Sequence, residues 1–227
     1  MKTDEFLAHE HLRMDVYRLL ADCFHLPDEN LKQNWVRLSS TIDMFCEEAA
    51  KYALVKKKDL DGMDDLESLK IDYARLFVGP YTLAAPPYGS VYLEGKRLVM
   101  GNSTVDAQKR YCNAGLNIAE EFKEAPDHIA VELEFMYFLI FKEIEAAGHS
   151  NMEAFDNYLR EQQAFLEIHL GDWQSEFTEK VIANSATEFY KALAKTTNIF
   201  IKQDLLLLQK YNESGGLKEN SQVLANP

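Results

Sequence analysis

Asp127-His-Ile-Ala-Val-Glu-Leu-Glu-Phe-Met-Tyr-Phe-Leu-Ile-Phe-Lys-Glu-Ile-Glu-Ala-Ala-Gly148 decides the fold class. Ile129, Leu133, Met136, Ile140 and Ile144 fall at i, i+4, i+7, i+11 and i+15, the spacing of a single apolar face on an α-helix. Pro126 suits the first helical position, and Asp127 suits a first turn where its charge meets the positive end of the helix dipole. Gly148 closes the segment. Similar stripes recur on both sides of it. Leu12, Val16, Leu19, Leu20 and Cys23 form one, with Arg13, Asp15, Arg18 and Asp22 on other faces, and that helix stops near Phe24, before Pro27. Leu31 to Leu54 carries one or two more helices, and helix resumes from Leu66 to Phe77. Ser103 or Thr104 can cap the next helix, which Gly115 ends in a left-handed conformation. Further helices are expected over Met152 to Leu170, Trp173 to Ala183 and Ala186 to Gln209, with Gly171 and Asn184-Ser185 as boundaries.

Two passages break this pattern. Lys56 to Asp65 is a polar connector whose charges are most simply solvated. Tyr73-Ala-Arg-Leu-Phe-Val-Gly-Pro-Tyr-Thr-Leu-Ala-Ala-Pro-Pro-Tyr-Gly-Ser-Val-Tyr92 is rich in Pro, Gly and aromatic residues. Pro80, Pro86 and Pro87 lack a backbone N–H and fix φ, which excludes ordinary helix or a central strand from Gly79 to Ser90. Val91 to Met100 can imitate a hairpin around Gly95, although an extended loop fits a helical chain better. The expected fold is therefore an all-α, single-domain helical bundle over residues 1–211 with an irregular passage from Gly79 to about Met100. A polar tail follows over residues 212–227. No repeat with a period of 20 to 50 residues occurs.

Composition narrows the functional classes. A formal charge of −13 over 227 residues disfavours nucleic acid and anionic membrane surfaces and favours a cationic partner. No stretch approaches the roughly 18 apolar residues that span a bilayer, and no basic n-region precedes an apolar run at the N-terminus. Cys23, Cys46 and Cys112 are odd in number and widely spaced, and they read as reduced core thiols rather than a disulfide framework or zinc site. Neither phosphate-cradling glycine motif is present, nor a serine nucleophile elbow. His9 and His11 point about 200° apart on a helix and cannot converge on one metal. His128 and Glu132 share a face but lack the remainder of a ligand set. Neither a metal nor another cofactor is expected, and the residues indicate no enzyme activity.

The order of motifs adds a resemblance. Tyr73 to Pro80 carries an aromatic followed by x-R-L-F-x-G-P. Pro86 to Tyr92 carries Pro-Pro-aromatic-x-S-x-aromatic, and Pro126 to Met136 carries P-x-H-I-x-x-E-L-x-F-M with Asp127 before the histidine. In this order, and covering most of the chain, they resemble the TorD/DmsD/NarJ family of redox-enzyme maturation chaperones, on its TorD/DmsD side. Tyr73, Tyr81 and Tyr88 stand where many relatives have Trp. The resemblance implies a cytoplasmic, system-specific chaperone of a molybdopterin-containing oxidoreductase. It would bind the immature catalytic subunit and its twin-arginine leader until cofactor insertion is complete, as a monomer with some helix-exchanged dimer. It also implies a leader-binding set of Tyr73, Phe77, Tyr81, Pro86, Pro87, Tyr88, Ser90, Tyr92, Asp127 and His128. On the residues alone, other roles stay open. Asp127 can simply stabilise a helix start, His128 can satisfy nearby backbone, and the aromatics can anchor the loop to the core. A general helix- or peptide-binding scaffold, or an enzyme of unassigned type, would use the same bundle differently.

Overall fold

The computed structural model describes residues 3–55, 66–79, 82–95, 100–116 and 124–213. Ten α-helices are found among them: α1 (Thr3–Cys23), α2 (Leu31–Phe45), α3 (Glu47–Val55), α4 (Leu66–Tyr73), α5 (Gly89–Leu93), α6 (Asn102–Asn113), α7 (Ile129–Gly148), α8 (Met152–Ile168), α9 (Leu170–Asn184) and α10 (Glu188–Glu213). The stripe read from the sequence is the buried face of α7, with Ile129, Leu133, Met136 and Ile140 all at 0% exposure. That face packs on α1 and α8. α1 also packs on α2, and α10 closes the bundle against α3, α8 and α9. Strands are absent among the described residues, as expected of an all-α chain.

Several boundaries differ from the sequence reading. The segment after α4 continues as one π-helical turn (Ala74–Val78), ended by Gly79 at φ 75°. There the Gly79 N–H reaches the Ala74 carbonyl, while the Leu76 carbonyl accepts from the Ala85 N–H at 3.0 Å and draws the loop back onto the bundle. The passage from Gly79 to Met100 is not wholly irregular, because Gly89–Leu93 is a short helix. Pro86 and Pro87 do not forbid it, since they lie before its start and Tyr88 is extended (φ −124°, ψ 128°). Gly171 stands at the α8–α9 boundary, as the second residue of α9. A Cβ there would stand 2.3 Å from the Leu166 carbonyl oxygen, so the tight α8–α9 junction requires glycine. α6 begins one residue before Ser103, and Thr104 Oγ1 accepts the Gly101 N–H at 3.1 Å. Gly115 has the expected left-handed φ of 84°. α10 spans Glu188–Glu213, starting and ending later than predicted. Lys56–Asp65, Pro80, Tyr81 and the tail beyond Glu213 lie outside the described residues.

Burial brings a further correction and reveals a buried charge. Cys23 and Cys46 are buried, but Cys112 is exposed and is no core thiol. Arg13, off the apolar stripe of α1, is fully buried. Its guanidinium is ringed by Glu10 of α1, Glu143 of α7, Gln162 of α8 and Asp204 of α10, with Asp204 Oδ1 2.8 Å from Nε. Tyr17 donates to Asp204 Oδ2 at 2.6 Å. Three carboxylates share this buried site, and burial holds Glu143 well above the ordinary carboxylate range. The network ties four helices at one level of the bundle.

Candidate functional site

The Pro-rich loop crosses the start of α7. Tyr88 and His128 form an isolated antiparallel bridge, in which Ile129 N–H donates to the Pro87 carbonyl at 2.9 Å and Gly89 N–H donates to the Asp127 carbonyl at 2.8 Å. Segments almost forty residues apart are thereby joined through backbone. The Asp127 side chain adds a third bond, Oδ2 accepting the buried Ser90 N–H at 2.7 Å. That contact supplies an acceptor to the first turn of α5, where N–H groups otherwise lack partners.

Asp127 was expected in the first turn of α7, with its charge available to a cation. It instead precedes the N-cap, is 0% exposed, and is committed to Ser90; its Oδ1 has no partner among the described residues. The cap is His128, whose Nδ1 accepts the Ala130 N–H at 3.2 Å. With Nδ1 accepting, the neutral ring carries its proton on Nε2. Burial lowers the His128 pKa to about 4, so the ring is neutral at physiological pH.

Beneath α5 lies Trp173 of α9. A Cβ on Gly89 would stand 2.9 Å from its Nε1, which explains why this position is glycine. Trp173 Nε1 donates to Glu132 Oε2 at 2.8 Å, and its ring stacks on Tyr92 with centroids 5.5 Å apart. Glu132 is fully buried, and that burial holds it well above its ordinary pKa. The sequence reading missed Trp173 as part of the site. Its signal was one aromatic in an ordinary amphipathic helix, and only the fold brings it to Gly89.

The predicted residues separate by burial. Tyr73 and Phe77 pack with one another at 5.2 Å, and Phe77 also meets Phe24, Phe177 and Tyr190, so these two form the wall that holds the π turn. Ser90 and Pro87 are buried. Tyr92 is half-buried, donates to the Pro86 carbonyl at 2.8 Å and lies under Lys180 Nζ at 4.4 Å. Tyr88 is half-exposed; its ring meets His128 edge-on at 5.4 Å, and its hydroxyl donates to exposed Glu124 at 2.8 Å. Arg75 pairs with Asp72 Oδ1 at 2.6 Å, and Asp72 also accepts from Ser185 and Thr187, fastening α4 to the α9–α10 junction. Ile71 on α4 and Val78 at the end of the π turn are exposed apolar side chains. Among the described residues no group of three or more His, Cys, Asp or Glu is arranged to hold a metal, and no helix is long and apolar enough to cross a membrane.

Comparison with known proteins points one way. The family model described as nitrate reductase delta subunit matches residues 28–179. The chain is similar to the chaperone protein TorD of Shewanella oneidensis, 30% identical over 217 residues covering 88% of this chain and 92% of the relative. It is similar to TorD of Shewanella pealeana at 27% identity over 220 residues, 89% of this chain and 92% of that protein. It also resembles the Tat proofreading chaperone DmsD of Salmonella typhimurium, 28% identical over 137 residues, or 60% of each. A crystal structure described as a redox enzyme maturation protein from Archaeoglobus fulgidus superimposes with a TM-score of 0.50 at 25% identity, covering 86% of this chain and 93% of that one.

Proposed function

The chain belongs to the nitrate reductase delta subunit family, with TorD and DmsD chaperones as its relatives, and from that premise we propose that it binds the twin-arginine leader of a molybdopterin-containing oxidoreductase. Its role is that of a system-specific maturation chaperone and not of an enzyme. In our reading it works in the cytoplasm and holds the immature catalytic subunit for cofactor insertion before export. The observation that carries the leader-binding part is the Tyr88–His128 bridge, which joins the Pro86–Tyr92 motif to the start of the Pro126–Met136 motif. Pro86, Tyr88 and Tyr92 offer half-buried apolar area suited to an apolar leader segment. The net charge of −13 attracts its basic end.

No bond is made or broken in this role. Leader and protein exchange contacts, and ordering a flexible leader consumes part of the contact energy. The expected affinity is therefore micromolar, about −8 kcal/mol. The test is calorimetric titration of a peptide carrying an Arg-Arg pair followed by roughly ten apolar residues. Tyr88→Ala should weaken binding by about 1–3 kcal/mol through lost apolar contact, with circular dichroism unchanged. Binding equal to the unsubstituted protein would remove the loop from the site.

A further inference from the structure

The surface around Tyr88 holds two exposed carboxylates, each occupied by a donor of this chain's own. Glu124 accepts from Tyr88 at 2.8 Å, and Glu134 Oε1 lies 3.2 Å from His25 Nε2. The His25 and Glu134 side chains are 41% and 48% exposed, so an incoming ligand can reach both. Buried groups beneath them are incompletely satisfied. Asp127 Oδ1 has no partner, and His128, 3% exposed and in electrostatic contact with Glu124, Glu134 and His25, has a partner only on Nδ1 among the described residues. Such a patch can accept a planar cation with several donors, and guanidinium matches carboxylates bidentately.

The geometry points to Glu124 and Glu134 as the acceptors of a guanidinium side chain, with His25 as an internal competitor that must release Glu134 first. This rests on the leader-binding reading and names the residues that read its charge. Buried Asp127 then positions α5 rather than meeting the ligand. The groups facing His25, which follows the end of α1, are Asp22 in the last turn of α1, Glu134 and His128 at α7, and Glu124 before it, while Arg18 and Arg37 lie beside Asp22. The hydrogen bond to Glu134 raises the His25 pKa above its usual value. The sign follows from competition. Below that pKa, charged His25 holds Glu134 and opposes a second cation. As pH rises through it, His25 loses its charge, Glu134 is freed and guanidinium binding tightens.

The test titrates the full chain at a series of pH values rising from about pH 6, below the raised His25 pKa, with two peptides. One carries Arg-Arg before an apolar run, and the other carries Gln-Gln in its place. The Arg-Arg peptide should bind more tightly at the higher pH, by up to about tenfold for one coupled proton. His25→Ala should remove that dependence by strengthening binding at the lower pH. Glu134→Gln and Glu124→Gln should each weaken the Arg-Arg peptide by about tenfold, the size of one charge-assisted hydrogen bond, and leave the Gln-Gln peptide unchanged. If both glutamine variants bind the Arg-Arg peptide normally while Tyr88→Ala still weakens it, the inference fails and the leader site stands. If wild type shows no pH dependence, His25 is not the competitor. If wild type binds neither peptide, the leader reading itself falls.

Discussion

Substitution of Asp127 separates a positioning role from direct contact. The carboxylate is 0% exposed and gives one oxygen to the Ser90 N–H at 2.7 Å, while the backbone bond from Gly89 N–H to the Asp127 carbonyl is independent of the side chain. Asp127→Ala deletes the only side-chain acceptor and leaves a buried N–H unpaired, which costs about 1–3 kcal/mol. Removing a desolvated charge offsets part of that, so the lower half of the range is expected. Asp127→Asn retains an acceptor oxygen for Ser90 and replaces unpartnered Oδ1 with a donor, and should cost less than about 1 kcal/mol. Urea denaturation followed by tryptophan fluorescence measures both, and hydrogen exchange at the Ser90 amide reports the bond directly. In the alanine variant that amide should lose protection while α7 keeps its own. Equal destabilisation by Ala and Asn would show that charge, not acceptor geometry, holds Ser90. An Asn variant that folds normally, keeps Ser90 protected and yet loses leader binding would refute the positioning role outright.

Two further substitutions probe the scaffold. Gly89→Ala drives a methyl to 2.9 Å from Trp173 Nε1, in a ring held by Glu132 and Tyr92, and should destabilise by about 1–3 kcal/mol with a changed near-ultraviolet tryptophan signal; wild-type stability would mean the ring yields freely. Arg13→Met leaves Glu10 and Asp204 without their shared cation and should cost about 3–5 kcal/mol at neutral pH in urea melts. That cost should shrink toward pH 4 as the carboxylates protonate, and a pH-independent loss would point to packing instead.

The helices were legible where one apolar face persisted over several turns, as on α7, because burial selects that face whatever its partner. α5 was not, since five residues carry no helical period and its acceptor, Asp127, stands thirty-seven residues from Ser90. The two motifs were legible as residues, and their meeting follows from the single site that the resemblance implies. What they do there was less so. A helix-start acid reads alike whether it faces solvent or a neighbouring backbone N–H, and Asp127 does the second. The burial of Arg13 was not legible for a related reason: Glu143, Gln162 and Asp204 are distant in sequence, so nothing local marks its charge as paired. Trp173 and Glu132 share that difficulty, each belonging to a separate amphipathic helix.

The loop is held by backbone pairing to α7, by the Asp127 carboxylate and by the Trp173 floor, whereas Tyr88, Glu124, His25 and Glu134 stand on the outer side of that support. The division has an energetic consequence. A recognition surface carried on a fixed base loses little further entropy when a flexible ligand arrives, so most of the ordering cost falls on the ligand. Substitution among the outer residues can then retune charge and ring area without disturbing the bundle. Substitution among the inner ones acts on ligand binding only by moving the platform. Outer variants should therefore change affinity at constant stability, whereas inner variants should change both together, and measuring the two quantities on the same protein distinguishes the classes.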